Sequence, residues 1–177
     1  IIEKKLLPLN WYEISGEMLN NSEEFGGIDT SLNVDFCVKL EKFKEIQKSD
    51  KFSPKVLAYD IETDDLKLGK GEILMISLVS ENFKKVITWK QTSSTRPIYV
   101  EYVKDETELL EKFVEYVKKI SPDFLVGYFS DGFDLPYLKA RAEKHKIKLA
   151  LGIDQSQPKF SKGISLTAKI NGIVHID

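Results

Sequence analysis

Apolar and polar residues alternate in short segments through the middle of this chain, and that pattern predicts a β-sheet. Residues 56–61, 73–79 and 85–89 are each rich in apolar side chains and are separated by polar loops, which is typical of strands. Because the connections between the three segments are short, we expect them to form an antiparallel meander.

A helical period replaces the alternation further along the chain. Downstream of Asp105, apolar residues recur every three or four positions and form a single stripe. Asp105 with Glu108 three residues later matches a capping box, so a helix is predicted over 105–120. A second helix is predicted over 135–146. Because the strand predicted at 123–128 follows a strand and a crossover helix, we expect a parallel strand pair with a right-handed connection.

The two ends of the chain add further strands. Strands are predicted over 6–14 and 32–43, with a turn at Gly26-Gly27 between them. At the other end, Asn171-Gly172 is a strong two-residue turn signal. It predicts a hairpin whose two strands cover residues 164–170 and 172–176.

A polar linker over residues 47–54 separates the first part of the chain from the rest. We therefore predict two domains. Residues 1–50 form part of a β-rich domain, and residues 51–177 form most of an α/β domain.

Composition narrows the function classes. The 177 residues include 26 basic and 28 acidic side chains, so no global positive field attracts nucleic acid, and any such binding must be local or must use metal ions. The single Cys37 excludes an internal disulfide and a cysteine zinc cluster. No apolar run is long enough for a membrane span, and the N-terminus is no signal peptide, so we expect a cytoplasmic protein with no membrane partner. Without a start Met, the sequence reads as the middle of a longer chain.

Two acids follow the apolar part of the first strand. Side chains alternate in a strand, so Asp60 and Glu62 point to the same face. The two carboxylates are expected to repel each other, and a shared divalent cation would relieve that repulsion. Oxygen ligands of this kind suit Mg²⁺ or Mn²⁺. The alternative is a strand that ends in solvated charges.

A third acid lies near the start of the second helix. Residues 127–138 read Gly-Tyr-Phe-Ser-Asp-Gly-Phe-Asp-Leu-Pro-Tyr-Leu, in which a strand gives way to a loop and then to a helix. Asp134 therefore lies near a helix N-terminus, where a negative charge is favoured. The alternative for Asp134 is a helix cap with no further role.

Taken together, the two segments resemble a known family. Asp60-Ile61-Glu62-Thr63 followed by residues 127–138 is similar to the proofreading exonuclease domain of archaeal family B DNA polymerases. Trp11-Tyr12-Glu13 near the start and His175-Ile176-Asp177 at the end also resemble that family. The resemblance implies an α/β, ribonuclease-H-like exonuclease fold, in which a mixed sheet is flanked by helices. It also implies that part of the polymerase N-terminal β-rich domain precedes this fold.

The resemblance also implies a site and a reaction. The reaction is two-metal hydrolysis of the 3′-terminal nucleotide of DNA with Mg²⁺ or Mn²⁺. Asp60 would bridge both ions, Glu62 would hold one and Asp134 the other. Three further residues are expected to contact nucleic acid: Thr63, Phe129 and Phe133. The implied partners are the single-stranded 3′ primer end and the rest of the polymerase chain, with a sliding clamp as a further partner of the full-length parent.

The sequence departs from the family's usual motifs in three ways. Phe129 and Gly132 stand where asparagine is common, which removes a polar contact to the primer end and is expected to loosen the loop. The third motif, Tyr-x-x-x-Asp, does not occur before Asp177, so we expect the 177-residue chain alone to bind metal weakly and to hydrolyse DNA poorly. These departures keep open a non-catalytic module of the same fold that binds single-stranded DNA or serves a structural role. A stand-alone exonuclease would need a third acidic motif.

Three expectations concern the second helix and the residues beside it. Its basic residues are predicted to form an exposed face, with contact to DNA phosphates as the alternative. They are Lys139, Arg141, Lys144, Lys146 and Lys148. His145 is expected at a solvated helix end. Of the two apolar neighbours of Asp134, which are Phe133 and Leu135, we expect Phe133 to pack into the core.

Overall fold

The structure is a computed structural model, and it describes residues 6–7, 10–19, 32–48, 53–91, 97–163 and 166–177. The chain separates into two compact units, Ile1–Ser53 and Pro54–Asp177, which are described here one at a time. No helix in the described part of the chain is long and apolar enough to cross a membrane.

The first unit contains an antiparallel strand pair. Strand β1 is Trp11–Met18 and β2 is Val38–Ile46. Both begin about five residues later than predicted, because most of their side chains are exposed and no buried face marks where pairing starts. The turn predicted at Gly26-Gly27 lies outside the described residues.

The second unit contains the remaining strands and both helices. In chain order these elements are β3 (Val56–Thr63), β4 (Ile73–Ser80), β5 (Phe83–Thr88), β6 (Val100–Tyr102), α1 (Glu106–Ile120), β7 (Phe124–Val126), α2 (Asp134–Lys144), β8 (Lys159–Lys162), β9 (Leu166–Lys169) and β10 (Val174–Ile176). Six strands form one mixed sheet in the order β10-β7-β3-β4-β5-β6, and β8 pairs with β9 separately.

The central pairings follow the sequence pattern. Strands β3, β4 and β5 form the predicted antiparallel meander. A parallel pair involving the strand after α1 is present as predicted, and its partner is β3. Strand β6 was not predicted, because its three residues are too few to show a period. It extends the sheet by pairing in parallel with β5.

One face of the sheet is buried under the helices. Alternate residues of β3, such as Leu57, Tyr59 and Ile61, are buried, while the residues between them are more exposed. The apolar stripe of α1 joins the same core, as Leu109 and Phe113 illustrate. Burying each such side chain stabilises the fold by about 1.5–3 kcal/mol relative to exposing it. The sheet therefore has a helix-covered face, and Asp60 and Glu62 point away from it.

Both predicted helices are present. The N–H of Glu108 donates to the Asp105 carboxylate at 2.9 Å, which confirms Asp105 as the cap of α1. Helix α1 ends at Ser121, which has a left-handed backbone with φ of 48°. Helix α2 begins at Asp134, one residue earlier than predicted, and receives no side-chain cap from the residue before it.

The predicted C-terminal hairpin is wrong beyond its turn. Asn171-Gly172 does reverse the chain, with Gly172 at φ of 79°, but only Ile170 and Ile173 pair across it. Strand β9 pairs instead with β8, and β10 pairs in parallel with β7 at the sheet edge. A local turn signal fixes where the chain reverses but does not fix which backbone each flanking strand finds as its partner.

Candidate active site

Strand β3 presents two acids on its open face. Asp60 and Glu62 are exposed, whereas the residues on either side of Asp60 are buried. This arrangement follows from the two-residue period of a strand that has one apolar face. The strand therefore places both carboxylates at its C-terminal end, where solvent and ligands can reach them.

Asp134 reaches the same strand from α2. Its Oδ1 accepts a hydrogen bond from the backbone N–H of Ile61 at 3.2 Å, and only 4% of Asp134 is exposed. Strand β7 pairs with β3 only as far as Ala58, so among the described residues no strand lies beside Ile61 on that side. A buried backbone N–H needs a partner, and the carboxylate provides one. The structure thus brings Asp134 to the backbone between Asp60 and Glu62.

Burial, the largest cause, and the negative charge of Asp60 together raise the pKa of Asp134 to about 6. The hydrogen bond from Ile61 opposes this shift without cancelling it. An acid with a pKa near neutrality in a cleft is a functional-site candidate. Here the shift indicates that negative charge at this point lacks a compensating positive partner.

This raised pKa predicts how an Asp134→Asn variant differs in stability from the parent. Between its ordinary pKa of 3.8 and about 6, the folded chain keeps a proton that the unfolded chain has released. The parent's free energy of unfolding therefore falls through this window as pH rises. Asparagine keeps the acceptor for Ile61 and carries no charge. In EDTA, urea denaturation should show the variant about 1–3 kcal/mol more stable than the parent at pH 7, with little difference near pH 4.

A second carboxylate offers a control of opposite sign. Hydrogen bonds from Ser156 and Asn171 lower the pKa of Asp154 to about 2. Its contribution to stability is present above its ordinary pKa and is lost as pH falls toward 2. Asp154→Asn should therefore be less stable than the parent at pH 7. If Asp134→Asn showed the same offset at pH 4 and pH 7, the inferred protonation of Asp134 would be wrong.

The donor set fits a divalent cation by its chemistry. Asp60, Glu62 and Asp134 supply hard carboxylate oxygens, which Mg²⁺ and Mn²⁺ prefer. A cation would also relieve the charge that raises the pKa of Asp134. Within the described residues, however, no three acidic, His or Cys side chains are close enough together to form a ready-made metal cluster. The acids are gathered at one strand end without a closed coordination shell.

The β7–α2 loop, residues 127–133, is anchored by the end of the chain. Oδ1 of Asp177 accepts hydrogen bonds from the N–H and the hydroxyl of Ser130, the latter at 3.0 Å, and from the N–H of Asp131 at 3.1 Å. Burial would raise the pKa of Asp177, but the bonds from Asp131 and Ser130 outweigh it and the pKa is lowered. The ionised carboxylate therefore holds this loop in place.

His175 adds a second anchor from the same strand. Its Nδ1 donates to Oδ1 of Asp131 at 3.1 Å, and its Nε2 lies 3.0 Å from the hydroxyl of Ser130. The His175 side chain is 2% exposed and Ser130 is fully buried. This Ser-His-Asp arrangement is closed to substrate, so we interpret it as structural. It fixes the loop that leads into Asp134.

Three predicted DNA-contacting residues lie around the acids in different settings. The hydroxyl of Thr63 donates to the backbone oxygen of Asp65 at 3.1 Å, so it shapes the loop that follows β3. Phe133 packs against the core as predicted but is only half-buried, with its ring centroid 5.3 Å from that of Tyr137. Leu135, the other apolar neighbour of Asp134, is fully buried. Phe129 is 65% exposed.

Beneath the site, a buried ion network corrects the prediction for the basic residues of α2. Arg141 is 1% exposed, and its guanidinium contacts both carboxylate oxygens of Glu106, with Nε donating at 2.7 Å. The same carboxylate accepts from the N–H of Ile73 at 2.7 Å and contacts His145. Arg141 and His145 are therefore not on a solvated face, because Glu106 at the start of α1 needs buried partners.

Sequence reasoning did not assign His175 and Asp177 to this neighbourhood. Their spacing was available as a signal, since two polar residues two positions apart on a strand share one side. Val174 and Ile176, the residues that alternate with them, are exposed on the other side. The missing information was the partner strand, because the pairing of β10 with β7 is non-local.

Comparisons with known proteins identify the family to which this α/β fold with acids at one strand end belongs. The family described as "DNA polymerase family B, exonuclease domain" matches residues 1–177. The chain belongs to this family. The resemblance inferred from the two motifs is therefore confirmed.

Archaeal DNA polymerases are among the similar proteins. A DNA polymerase of Pyrococcus horikoshii is 45% identical over 125 residues, which cover 68% of this chain and 10% of that protein. A DNA polymerase of Thermococcus litoralis is 43% identical over 129 residues, which cover 70% of this chain and 7% of that protein. The chain thus spans only a small part of these relatives.

A solved structure supports the fold. The family B DNA polymerase from the hyperthermophilic archaeon Pyrobaculum calidifontis matches with a TM-score of 0.68 and 20% identity, over 99% of this chain and 21% of that chain. The expected fold, a ribonuclease-H-like exonuclease domain with a β-rich N-terminal part, is therefore confirmed.

Proposed function

We propose that this chain is the proofreading part of a family B DNA polymerase and that it takes part in removing the 3′-terminal nucleotide of DNA. Within the family just established, one observation carries the proposal: the Asp134 carboxylate bonds to the β3 backbone between Asp60 and Glu62. We assign residues 1–50 to the polymerase N-terminal domain and residues 51–177 to the exonuclease domain. We assign the activity to the complete polymerase, because the region of similarity covers only 10% of a relative such as the Pyrococcus horikoshii DNA polymerase.

Asp60, Glu62 and Asp134 are the residues that would hold Mg²⁺ or Mn²⁺. When bound, two such ions supply an activated water and stabilise the leaving oxygen. The protein's part is positional. Strand β3 directs Asp60 and Glu62 to its open face, and the hydrogen bond from Ile61 fixes Asp134 beside them. Deprotonation of Asp134 near pH 6 makes this carboxylate available as a ligand at neutral pH.

The substrate in this proposal is the single-stranded 3′ end of a primer. Thr63, Phe129 and Phe133 are the residues assigned to contact it. With 26 basic and 28 acidic residues, the chain has no excess positive charge to attract DNA, so its own binding must come from local contacts. Bound cations and the rest of the polymerase would strengthen that binding. A sliding clamp is a further proposed partner of the complete polymerase.

Titration with Mn²⁺ tests the metal assignment directly. We expect weak but saturable binding to the 177-residue chain. Asp60→Asn should weaken this binding by about 10- to 100-fold or more, because changing a residue that only supports a metal ligand already costs that much affinity. Electron paramagnetic resonance of free Mn²⁺ is a suitable measurement, because it requires no catalysis.

The matched control is Glu81→Gln. Glu81 is an exposed acid on the turn between β4 and β5, at the end of the sheet away from the Asp60 carboxylate. It should bind Mn²⁺ as the parent does. Equal weakening by both substitutions would indicate diffuse charge attraction. No binding by the parent would favour a non-catalytic module that binds single-stranded DNA.

A further inference from the structure

We propose that Phe129 is a stacking platform for a base at the 3′ end of single-stranded DNA, and that Gly132 is present to support it. This inference rests on the proposed function and specifies how that site recognises its strand. It concerns the two loop positions where the sequence departs from the motif it resembles. The structure shows that these two residues contact each other.

Gly132 lies directly against the Phe129 ring. A Cβ atom built on Gly132 would be 2.7 Å from Cζ, 2.9 Å from Cε2 and 3.0 Å from Cε1 of that ring. Side-chain carbons essentially never approach so closely, so any other residue at 132 would displace the ring. The glycine therefore gives the ring a flat backbone surface to rest on, a different role from the loosening of the loop expected from sequence.

The backbone also holds Phe129 in a fixed presentation. Phe129 has φ of 54°, a left-handed conformation that is uncommon for a bulky residue. Its carbonyl accepts hydrogen bonds from the N–H groups of Gly132 at 3.2 Å and Phe133 at 3.0 Å. Asp177 fixes the next two residues of the loop. Conformations of this kind persist where the surroundings enforce them, and they concentrate at ligand sites.

Exposure and location indicate the ligand. The Phe129 side chain is 65% exposed, so one face of the ring remains available while the other rests on the loop. The loop continues into Asp134, whose carboxylate contacts β3 at the proposed metal site. Single-stranded nucleic acid binds commonly through bases stacked on aromatic side chains, and stacking tolerates any base because each has a π-face. An asparagine at this position would instead form hydrogen bonds, which require a donor or acceptor atom of the strand at the right place.

Fluorescence anisotropy with a short fluorescein-labelled oligothymidylate, in EDTA to prevent hydrolysis, tests the platform. Phe129→Ala should weaken binding by about 5- to 150-fold, the range for losing one base–aromatic stack, and Phe129→Trp should bind at least as well as the parent. The matched control is Ile98→Ala. Ile98 is 97% exposed beside β6, at the opposite edge of the sheet, so its loss should leave binding unchanged.

The contact with Gly132 makes a second, sharper test. Gly132→Ala should weaken binding in the parent because the ring is displaced, but it should have little effect in a chain that already carries Phe129→Ala. Additive losses would overturn the coupling, and unchanged binding by Phe129→Ala would overturn the platform. If the Mn²⁺ titration succeeds while Phe129→Ala binds normally, only the platform is wrong. If the parent binds neither Mn²⁺ nor the oligonucleotide, the proposed function fails as well.

Discussion

A polymerase that carries this sequence with Asp60 changed to alanine is expected to remove a mispaired 3′-terminal nucleotide about 10²-fold more slowly or worse. It should extend a matched primer at the parent rate. Asp60 is exposed at the end of β3 and is the proposed bridging ligand, so its loss removes charge stabilisation worth several kcal/mol from the transition state. Excision from a mismatched primer and extension of a matched primer would be measured in parallel.

The surroundings of Asp60 make this experiment specific. As an exposed strand residue it contributes little packing, so the substitution should change the free energy of unfolding by no more than about 0.5 kcal/mol. Glu81→Gln serves again as the control and should leave both reactions intact. If Asp60→Ala abolished excision and extension together, or lowered stability substantially, Asp60 would be a structural residue and the proposed site would be wrong.

The largest effect on stability is expected from Arg141→Met, which should destabilise the chain by about 3–5 kcal/mol. The substitution leaves the Glu106 carboxylate buried without its main cationic partner. Burial would raise the pKa of Glu106, but the hydrogen bonds from Arg141, Ile73 and His145 together outweigh this and keep the pKa low. Urea denaturation at neutral pH would measure the loss.

Lys139→Met is the matched control on the same helix. Lys139 and Glu143 form an exposed pair with an N–O distance of 3.9 Å, and such pairs contribute at most about 0.5 kcal/mol. A loss from Arg141→Met no larger than that from Lys139→Met would contradict the network. Removing Glu106 as well should recover only part of the stability, because the N–H of Ile73 would then lose its acceptor.

The parts of the fold that sequence reasoning predicted are those fixed by local rules. Alternation in β3 determines which face Asp60 and Glu62 occupy, and the 3.6-residue period with Asp105 as cap determines α1. These patterns can be recognised in the sequence because each element packs one face against the same core. The helix before β7 predicted a parallel strand pair, whereas the identity of its partner, β3, came from the structure.

The remaining features depend on partners distant in sequence. Arginine is a residue type usually found on the solvated face of a helix. Only the contact of Arg141 with Glu106, 35 residues away in sequence, explains its burial. No local sequence signal indicated that β10 pairs with β7 and not with the strand predicted before the Asn171-Gly172 turn. For the candidate site, residue types pointed to the three acids, while the bond from Ile61 to Asp134 and the contact between Phe129 and Gly132 required coordinates.

The anchoring of the β7–α2 loop by Asp177 has a consequence for the order of folding. Ser130 and Asp177 are 47 residues apart in sequence, and such non-local contacts form later than local ones, because loop-closure entropy must be overcome first. During synthesis the loop cannot take its final conformation until Asp177 has emerged and β10 has docked on β7. Asp134, which follows this loop, should therefore reach its final position late in folding, after the meander of β3, β4 and β5 has formed.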